Sequence, residues 1–593
     1  MYALIAAFPI LLTVVLMVGF NKPAKQALPL SWLVACLVAG LVWHMGVLEM
    51  TAQTIAGFLS AFETLCIIFG AILLMNILKQ SGAMASINQM FSNITRDARI
   101  QAVIIGYIFA GFIEGVAGFG TPAALAAPIL ISLGFPPLAA AAVCLIYNST
   151  PVCPGPVGVP TLTASSTVAS AVTGLGGDPD TFTMELTKWT CIPHMIGGFF
   201  IIFIGVCVLC KVFGPNKSFK DALPALPFCL LSGAVVAVIY IPMAIFAGPE
   251  LTSMVAFIIA LFVLMIAAKK GILMPKEEWT FDRVEEWGDK SWMATRKVST
   301  TKEKGMSPVK AWMPYIIIGI FLVISRIAVF GLKDILNNEP FILHVDHILG
   351  FENINWDFKF FWNAGILPFI IVALLTIFLH KMTKTEAKTA IFDSFNQVSG
   401  AAIALLFGVA MVNLYRFTSD ASIGETVLSA GQTVEEFTYA NSSMLYIMAH
   451  ALANIFDKAY FLVAPLIGVL GAFMSGSCTV SNTLFASLQF ETATVLGMSQ
   501  VLIVALQNMG GAIGNQICVN NIVAACATTG TNGNEGKLIR TNIIPALIYC
   551  AVVATIVGVL LFTGVNPMPE LLRKVHKKAP LPADRPSIQQ IGR

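Results

Sequence analysis

The chain has 593 residues, 57% of them hydrophobic and only 11% charged, with a mean hydropathy of +0.81. That much apolar surface cannot be buried in a soluble core and needs lipid. A formal net charge of +3, dispersed along the chain, excludes a nucleic-acid surface.

In chain order, windows of about twenty apolar residues predict spans over Tyr2 to Phe20, Leu28 to Val47, Gly57 to Leu78, Thr190 to Cys210, Ala222 to Phe246 and Leu251 to Ala268. In the second half they predict spans over Ala311 to Leu332, Phe361 to Leu379, Val398 to Tyr415 and Asn542 to Phe562. The first stretch has no basic residue ahead of it and no small-residue cleavage pattern after it, so it is expected to remain as a span. The 12 cysteines lie almost wholly in apolar segments. They read as small buried hydrophobes, including the one CxxC, Cys207 with Cys210.

Basic residues fix an expected orientation, because Lys and Arg near span ends stay cytoplasmic. Lys22, Lys25, Lys79, Arg96, Arg99, Lys211, Lys217, Lys220, Lys381, Lys384 and Lys388 fall on one side if the N-terminus is outside. Asp178, Asp180, Glu185, Asp346, Glu352, Glu425, Glu435 and Glu436 fall on the other. The resulting division is a first half over 1–268, a cytoplasmic linker over 269–310, a second half over 311–565 and a polar tail over 566–593. The linker carries Trp279, Trp287 and Trp292 and is expected as a short surface helix or a mobile loop. The tail, with Arg573, Lys574, Lys577 and Lys578, falls outside and breaks the positive-inside pattern.

Two apolar stretches are interrupted by glycine and proline, and they read alike about 360 residues apart. In the first, a re-entrant hairpin is expected over 100–134, with its tip at Gly115, Gly118, Phe119, Gly120, Thr121 and Pro122. A discontinuous helix follows over 138–172, broken by Ser149, Thr150, Pro151, Pro154, Gly155, Pro156, Gly158 and Pro160. Freed backbone of this kind survives in lipid only where protein or a water-filled cavity surrounds it. The second stretch repeats the order, with a hairpin over 459–497 and a broken helix over 500–530. Asp97 falls on Asp457, Gly111 on Gly471, Thr121 on Ser481, Ala126 on Ala486 and Asn148 on Asn508. An odd number of spans between the copies makes them inverted repeats.

A hairpin tip and a helix break each expose N–H groups at helix N-termini, whose partial positive charge suits a carboxylate. The candidate binding residues are small hydrogen-bonders: Gly120, Thr121, Asn148, Ser149 and Thr150 in the first copy, and Ser477, Ser481, Asn482, Thr483, Asn508, Asn515 and Asn520 in the second, with Asn521 beside them. The plainer reading is that they only cap broken helices. Glu114, an ionisable residue inside a span, is the candidate coupling-ion residue, able to carry a proton; the structural alternative is a neutral Glu bonded to a carbonyl. Glu63, Arg326, His450 and Glu491 lie nearer segment ends and read as structural. No HExxH and no paired-aspartate motif is present, and the seven histidines are scattered, which argues against an intramembrane enzyme, a metal or a cofactor.

At GFIEGVAGFGTPAALAAPILISLGFPPL (Gly111 to Leu138) and CLIYNSTPVCPGPVGVPTL (Cys144 to Leu162) the sequence closely resembles the bacterial lactate permease family, which includes glycolate permeases. The resemblance continues through GAFMSGSCTVSNTLFASLQ (Gly471 to Gln489) and, less closely, through ALQNMGGAIGNQICVNNIVAACATTG (Ala505 to Gly530). It implies a secondary carrier of the bacterial cytoplasmic membrane for L-lactate, D-lactate and glycolate, usually by proton symport. In proton-coupled enterobacterial members an acidic residue stands where this chain has Cys478 and a lysine where it has Asn515, which leaves the coupling ion open. The Ser481, Asn482, Thr483 triplet also looks like the carboxylate- and sodium-binding triplet of divalent anion/sodium symporters, so sodium coupling is the alternative. The spans and breaks together predict an all-α polytopic fold of two inverted repeats, with about twelve crossings and two re-entrant hairpins; the wider superfamily resemblance implies an elevator-type mechanism and allows a homodimer. A passive channel is a third reading and predicts conductance instead of saturation.

Overall fold

The computed structural model describes residues 2–16, 20, 22, 24–89, 94–116, 118, 121–281, 292, 306–326, 335–336, 338–352, 354–361, 366–418, 443–531 and 533–572. Among these, eight helices are long and apolar enough to cross a membrane, and further apolar helices of 10–17 residues accompany them. Gly120, most of the linker, Glu425, Glu435, Glu436 and the basic end of the tail lie outside the described residues.

The first half runs through α1 (Tyr2–Val14), α2 (Ala24–Val42), α3 (Val47–Gln80), α4 (Ala83–Gln89) and α5 (Ala98–Val116). It continues through α6 (Thr121–Ser132), α7 (Pro137–Tyr147), α8 (Val159–Gly174), α9 (Pro179–Val208), α10 (Leu226–Phe246) and α11 (Pro249–Lys269). The second half holds α12 (Pro308–Arg326), α13 (Leu367–Leu379), α14 (Lys384–Arg416), α15 (Met444–Phe456), α16 (Tyr460–Ser475), α17 (Cys478–Leu496), α18 (Gln500–Gly514), α19 (Val519–Thr529) and α20 (Glu535–Phe562). Several helices start ahead of the apolar window that announces them: α9 begins at Pro179, capped by Asp178, and α14 at Lys384, capped by a Thr383–Glu386 capping box. Polar first turns are expected where a helix leaves the bilayer, because exposed N–H groups there need acceptors.

One feature was not expected from the sequence. Leu343–Val345 (β1) pairs antiparallel with Trp356–Phe358 (β2), in the register Leu343 with Phe358 and His344 with Asp357. Three-residue strands are too short for an alternation pattern to declare itself.

The apolar side chains form two main clusters. One unites α1, α2, α15 and most of α3 and α14 with the Val480, Leu484, Leu488 face of α17; the other unites the end of α3 (Leu73 to Leu78), α4, α12, α13 and Ala390 of α14 with α5 to α11 and α16 to α20. In the first cluster α3 and α14 run antiparallel: Gly57 sits so close to Ala410 that a Cβ there would lie 2.5 Å from the Ala410 Cα, and Asn76 donates to Ser394 Oγ at 2.9 Å. Small residues that let backbones touch replace the hydrophobic driving force that lipid removes.

The described part of the linker is pinned rather than loose. Arg99 Nη2 lies 2.5 Å from Asp97 Oδ2 and donates to the Glu277 carbonyl at 2.9 Å, and its Nη1 donates to the Asp221 carbonyl at 2.6 Å. The Trp279 amide donates to Asp97 Oδ2 at 3.1 Å, while its carbonyl accepts from Ala98 N at 2.8 Å. A buried ion pair needs this many partners to offset its desolvation. The start of the tail is held too: Leu571 is buried beside Gly177.

Candidate functional site

Four chain interruptions converge inside the second cluster. Helix α5 ends at Val116 and α6 starts at Thr121; α7 ends at Tyr147 and α8 starts at Val159. In the second half α16 stops at Ser475, Gly476 takes φ 74° and α17 begins at Cys478; α18 ends at Gly514 and α19 begins at Val519. The starts of α8 and α19, Val159 and Val519, reproduce the 360-residue spacing read from the sequence.

A narrow cavity lies where these ends meet. Its wall takes Glu114 from α5, Val152 and Pro156 from the connection into α8, Pro160 from the first turn of α8, Gly476, Ser477, Cys478 and Thr479 from around the start of α17, Asn515 from the α18–α19 break and Asn521 from the first turn of α19. The N-terminal ends of α8, α17 and α19 supply more of this wall than C-terminal ends do, so the backbone field is suited to negative charge. Among the described residues, no Lys or Arg lines it. The space open to the centre of a water molecule is about 20 Å³, room for one or two waters. A three-carbon carboxylate fits only if the walls move apart.

Of the residues singled out by sequence, Glu114, Ser477, Cys478, Asn515 and Asn521 line the cavity. Glu114 is 3% exposed, lies beside the Asn148 amide, and its Oε2 has no hydrogen-bond partner. Asn148 caps α7 and its Oδ1 is likewise buried and unpartnered. Ser477 is the N-cap of α17, accepting from Val480 N at 3.4 Å. Thr121 and Asn520 stand at the first turns of α6 and α19, with their side chains outside the described set.

The remaining candidates are bonded within the protein. Ser481 Oγ donates to the Gly468 carbonyl at 2.8 Å and accepts from Gln507 Nε2 at 3.0 Å; Thr483 Oγ1 donates to the Thr479 carbonyl at 3.0 Å. Asn482 donates to the Pro160 carbonyl at 2.9 Å and to Asn508 Oδ1 at 2.8 Å, leaving its own Oδ1 unpartnered. Asn508 is filled: its Oδ1 also accepts from Cys153 Sγ at 2.9 Å, and its Nδ2 faces Thr161 Oγ1 at 2.8 Å and Thr190 Oγ1 at 3.3 Å. Ser149 Oγ donates to the Ile146 carbonyl at 2.7 Å, and Thr150 Oγ1 lies 3.1 Å from the Tyr549 hydroxyl.

Sequence reasoning did not pick out Thr479, Val152, Pro156 or Pro160 as wall residues, nor the His194–Tyr549 pair behind Ser149 and Thr150. His194 had a signal: an ionisable residue in the middle of an apolar run.

A family model described as L-lactate permease matches residues 2–563. The chain belongs to the L-lactate permease family. It is 30% identical to a putative L-lactate permease of Haemophilus influenzae, covering 93% of this chain and 97% of that one, and 28% identical to the L-lactate permease of Salmonella typhimurium, covering 93% and 95%. A glycolate permease of Escherichia coli is 27% identical over 95% of this chain and 96% of its own length. Among solved structures, the YdaH transporter of Alcanivorax borkumensis aligns over 92% of this chain and 100% of that one, with a TM-score of 0.46 and 12% identity. The permease family and the apolar helices together make this a multi-pass membrane protein.

Proposed function

We propose that this permease is a secondary carrier for L-lactate and related small 2-hydroxy monocarboxylates, D-lactate and glycolate among them, working by proton symport across the bacterial cytoplasmic membrane. The observation that carries the reading is the cavity of helix N-termini and neutral donors, lined also by Glu114 and, among the described residues, by no Lys or Arg. Neutral donors bind a monoanion without trapping it, and a buried carboxyl with an unpartnered oxygen is suited to hold the proton that travels with it. In this reading Ser477, Asn515 and the N–H groups of α17 and α19 receive the carboxylate, with Gly120, Thr121, Asn148 and Asn520 close to it. Asn482, Asn508, Ser481, Thr483, Ser149 and Thr150 act by holding the breaks in place.

The cavity admits little more than water, so carriage needs relative motion of its walls. An elevator mode, in which the hairpins and broken helices slide against the outer spans, would supply that motion. The 360-residue spacing of the breaks favours inverted repeats, with residues 100–134 and 459–497 as re-entrant hairpins, and a homodimer would anchor the α1–α3, α14 cluster. A sodium-coupled variant is the second reading, favoured by the unpartnered acceptors Glu114 Oε2, Asn148 Oδ1 and Asn482 Oδ1. Uptake of labelled L-lactate into proteoliposomes separates the two. A pH gradient drives accumulation and a sodium gradient does not; the reverse result would overturn proton symport.

A further inference from the structure

His194 sits in the middle of α9, fully buried, against the break that carries Ser149. Its Nε2 is 3.2 Å from the Ser149 carbonyl, which can only accept, so Nε2 carries a hydrogen. Its Nδ1 is 3.1 Å from the Tyr549 hydroxyl, and the two rings are stacked at an interplanar angle of 11°. That hydroxyl has two other partners: Thr150 Oγ1 at 3.1 Å and the backbone carbonyl of His194 itself at 2.9 Å.

This arrangement satisfies the ring in both of its protonation states. With a neutral ring, the Tyr549 O–H donates to Nδ1 and the oxygen accepts from Thr150. With a charged ring, Nδ1–H donates to the Tyr549 oxygen, and the phenolic hydrogen turns to the His194 carbonyl, which is already within reach. A buried histidine with a single fixed donor at Nδ1 would be locked neutral; here the change needs one hydroxyl rotation.

The groups around the ring do not fix its charge. Tyr549 and Cys550 approach from α20, Tyr107 from α5 and Cys153 from the connection into α8, with Cys191 on its own helix facing Tyr240 of α10. Helices α8 and α18 carry no titratable side chain. The acid nearest in this network is Glu114, joined through Asn148. Three consecutive residues of one break therefore each hold a different partner: Asn148 lies beside Glu114, Ser149 binds His194 and Thr150 binds Tyr549.

We infer that His194 is a second proton-binding residue of the transport cycle, taking a proton at Nδ1 by way of Tyr549 when the Asn148–Thr150 break shifts. The inference rests on the proton-symport reading. One proton enters on the Tyr549 oxygen from the Thr150 side as the phenolic proton passes to Nδ1; no bond between heavy atoms forms or breaks and no electron is transferred. Widening the cavity moves the connection that carries Val152 and Pro156, which also carries Ser149 and Thr150, so carboxylate entry and proton uptake act on one segment.

The test uses full-length protein in proteoliposomes, with pH-gradient-driven accumulation of labelled L-lactate and L-lactate exchange at symmetric pH measured on each sample. In His194→Gln the amide can keep both hydrogen bonds but cannot be charged. The ratio of driven accumulation to exchange is expected to fall by roughly tenfold or more, and the pH dependence of exchange to flatten. Tyr549→Phe keeps the ring and removes the relay; the initial rate of driven uptake is expected to fall several-fold with the final plateau approached more slowly. A ratio within twofold of wild type for His194→Gln, or an unchanged initial rate for Tyr549→Phe if the Gln variant does not fold, would overturn the inference alone. Wild-type uptake indifferent to the pH gradient would overturn both this inference and the symport reading.

Discussion

The thiols of Cys153 and Cys478, 325 residues apart in sequence, lie 3.5 Å apart in the fold. Cys153 comes from the break between α7 and α8, and Cys478 is the first residue of α17. Both reach Asn508: Cys153 Sγ is 3.1 Å from its carbonyl and 2.9 Å from its Oδ1, and Cys478 Sγ is 3.5 Å from its carbonyl. The two halves of the permease are thus joined through their interrupted segments, at the wall of the cavity.

Mild oxidation of the detergent-solubilised protein, with copper phenanthroline as catalyst, is expected to form an intramolecular Cys153–Cys478 disulfide. Tying the two halves at the cavity should arrest L-lactate exchange, and a thiol reductant should restore it. Peptide mass spectrometry reads the bond. Oxidation that joins other cysteines and leaves these two free would contradict the juxtaposition.

Asn508→Leu removes an amide that four side chains use, leaving Cys153, Asn482, Thr161 and Thr190 to find other partners in a dry interior. The expected loss is about 2–4 kcal/mol, since each orphaned buried group costs on the order of 1–3 kcal/mol. Thermal unfolding in detergent measures it. A melting temperature equal to wild type would mean that Asn508 is not the centre of this network.

A paired glycine experiment tests the packing. A Cβ at Gly510 would lie 2.1 Å from the Pro465 carbonyl oxygen, where α18 crosses α16, whereas Gly536 on α20 has nothing within 4 Å. Gly510→Ala should destabilise by about 1–3 kcal/mol because the clash is with backbone. Gly536→Ala should be neutral or stabilising by up to about 1 kcal/mol. Similar melting temperatures for the two variants would contradict the α16–α18 approach.

Outside the spans, His344 on β1 faces Asp357 at 2.7 Å and Glu339 at 3.0 Å. The hydrogen bond to Asp357 and the two carboxylates raise its pKa above the ordinary 6.5. Folding therefore favours the charged ring: the contribution to the β1–β2 hairpin is complete below the unfolded value and is lost as pH rises through the higher folded value. The ring is exposed, so the effect on stability is small. Titration of His344 by NMR should give a value above that of Asp357→Asn. Equal values would remove the pairing.

Much of the span pattern was legible because lipid demands it: an apolar window must be helical when no water can satisfy its backbone. Helix interruptions at Gly118, Pro151–Gly158 and Gly476 were legible for the complementary reason, that glycine and proline cannot continue a helix. Which polar side chain faces the cavity was not. Ser477 and Ser481 are one turn apart, and only the packing of α16 and α18 against α17 decides that Ser477 meets the cavity while Ser481 meets Gly468 and Gln507. Asn508 looked like a ligand for the same reason that it is a good hub, a full set of amide donors and acceptors. The Thr150–Tyr549–His194 chain spans up to 399 residues, a separation no local pattern encodes. The β1–β2 hairpin was lost because three residues per strand carry no period.

Labelled L-lactate counterflow in proteoliposomes tests the central claim most directly, with unlabelled glycolate, D-lactate or succinate as competitor. Saturable exchange, accelerated by L-lactate on the opposite side and inhibited by glycolate and D-lactate but not by succinate, is the predicted result. Uptake that neither saturates nor responds to L-lactate on the far side, or that only succinate inhibits, would contradict a carrier for small 2-hydroxy monocarboxylates.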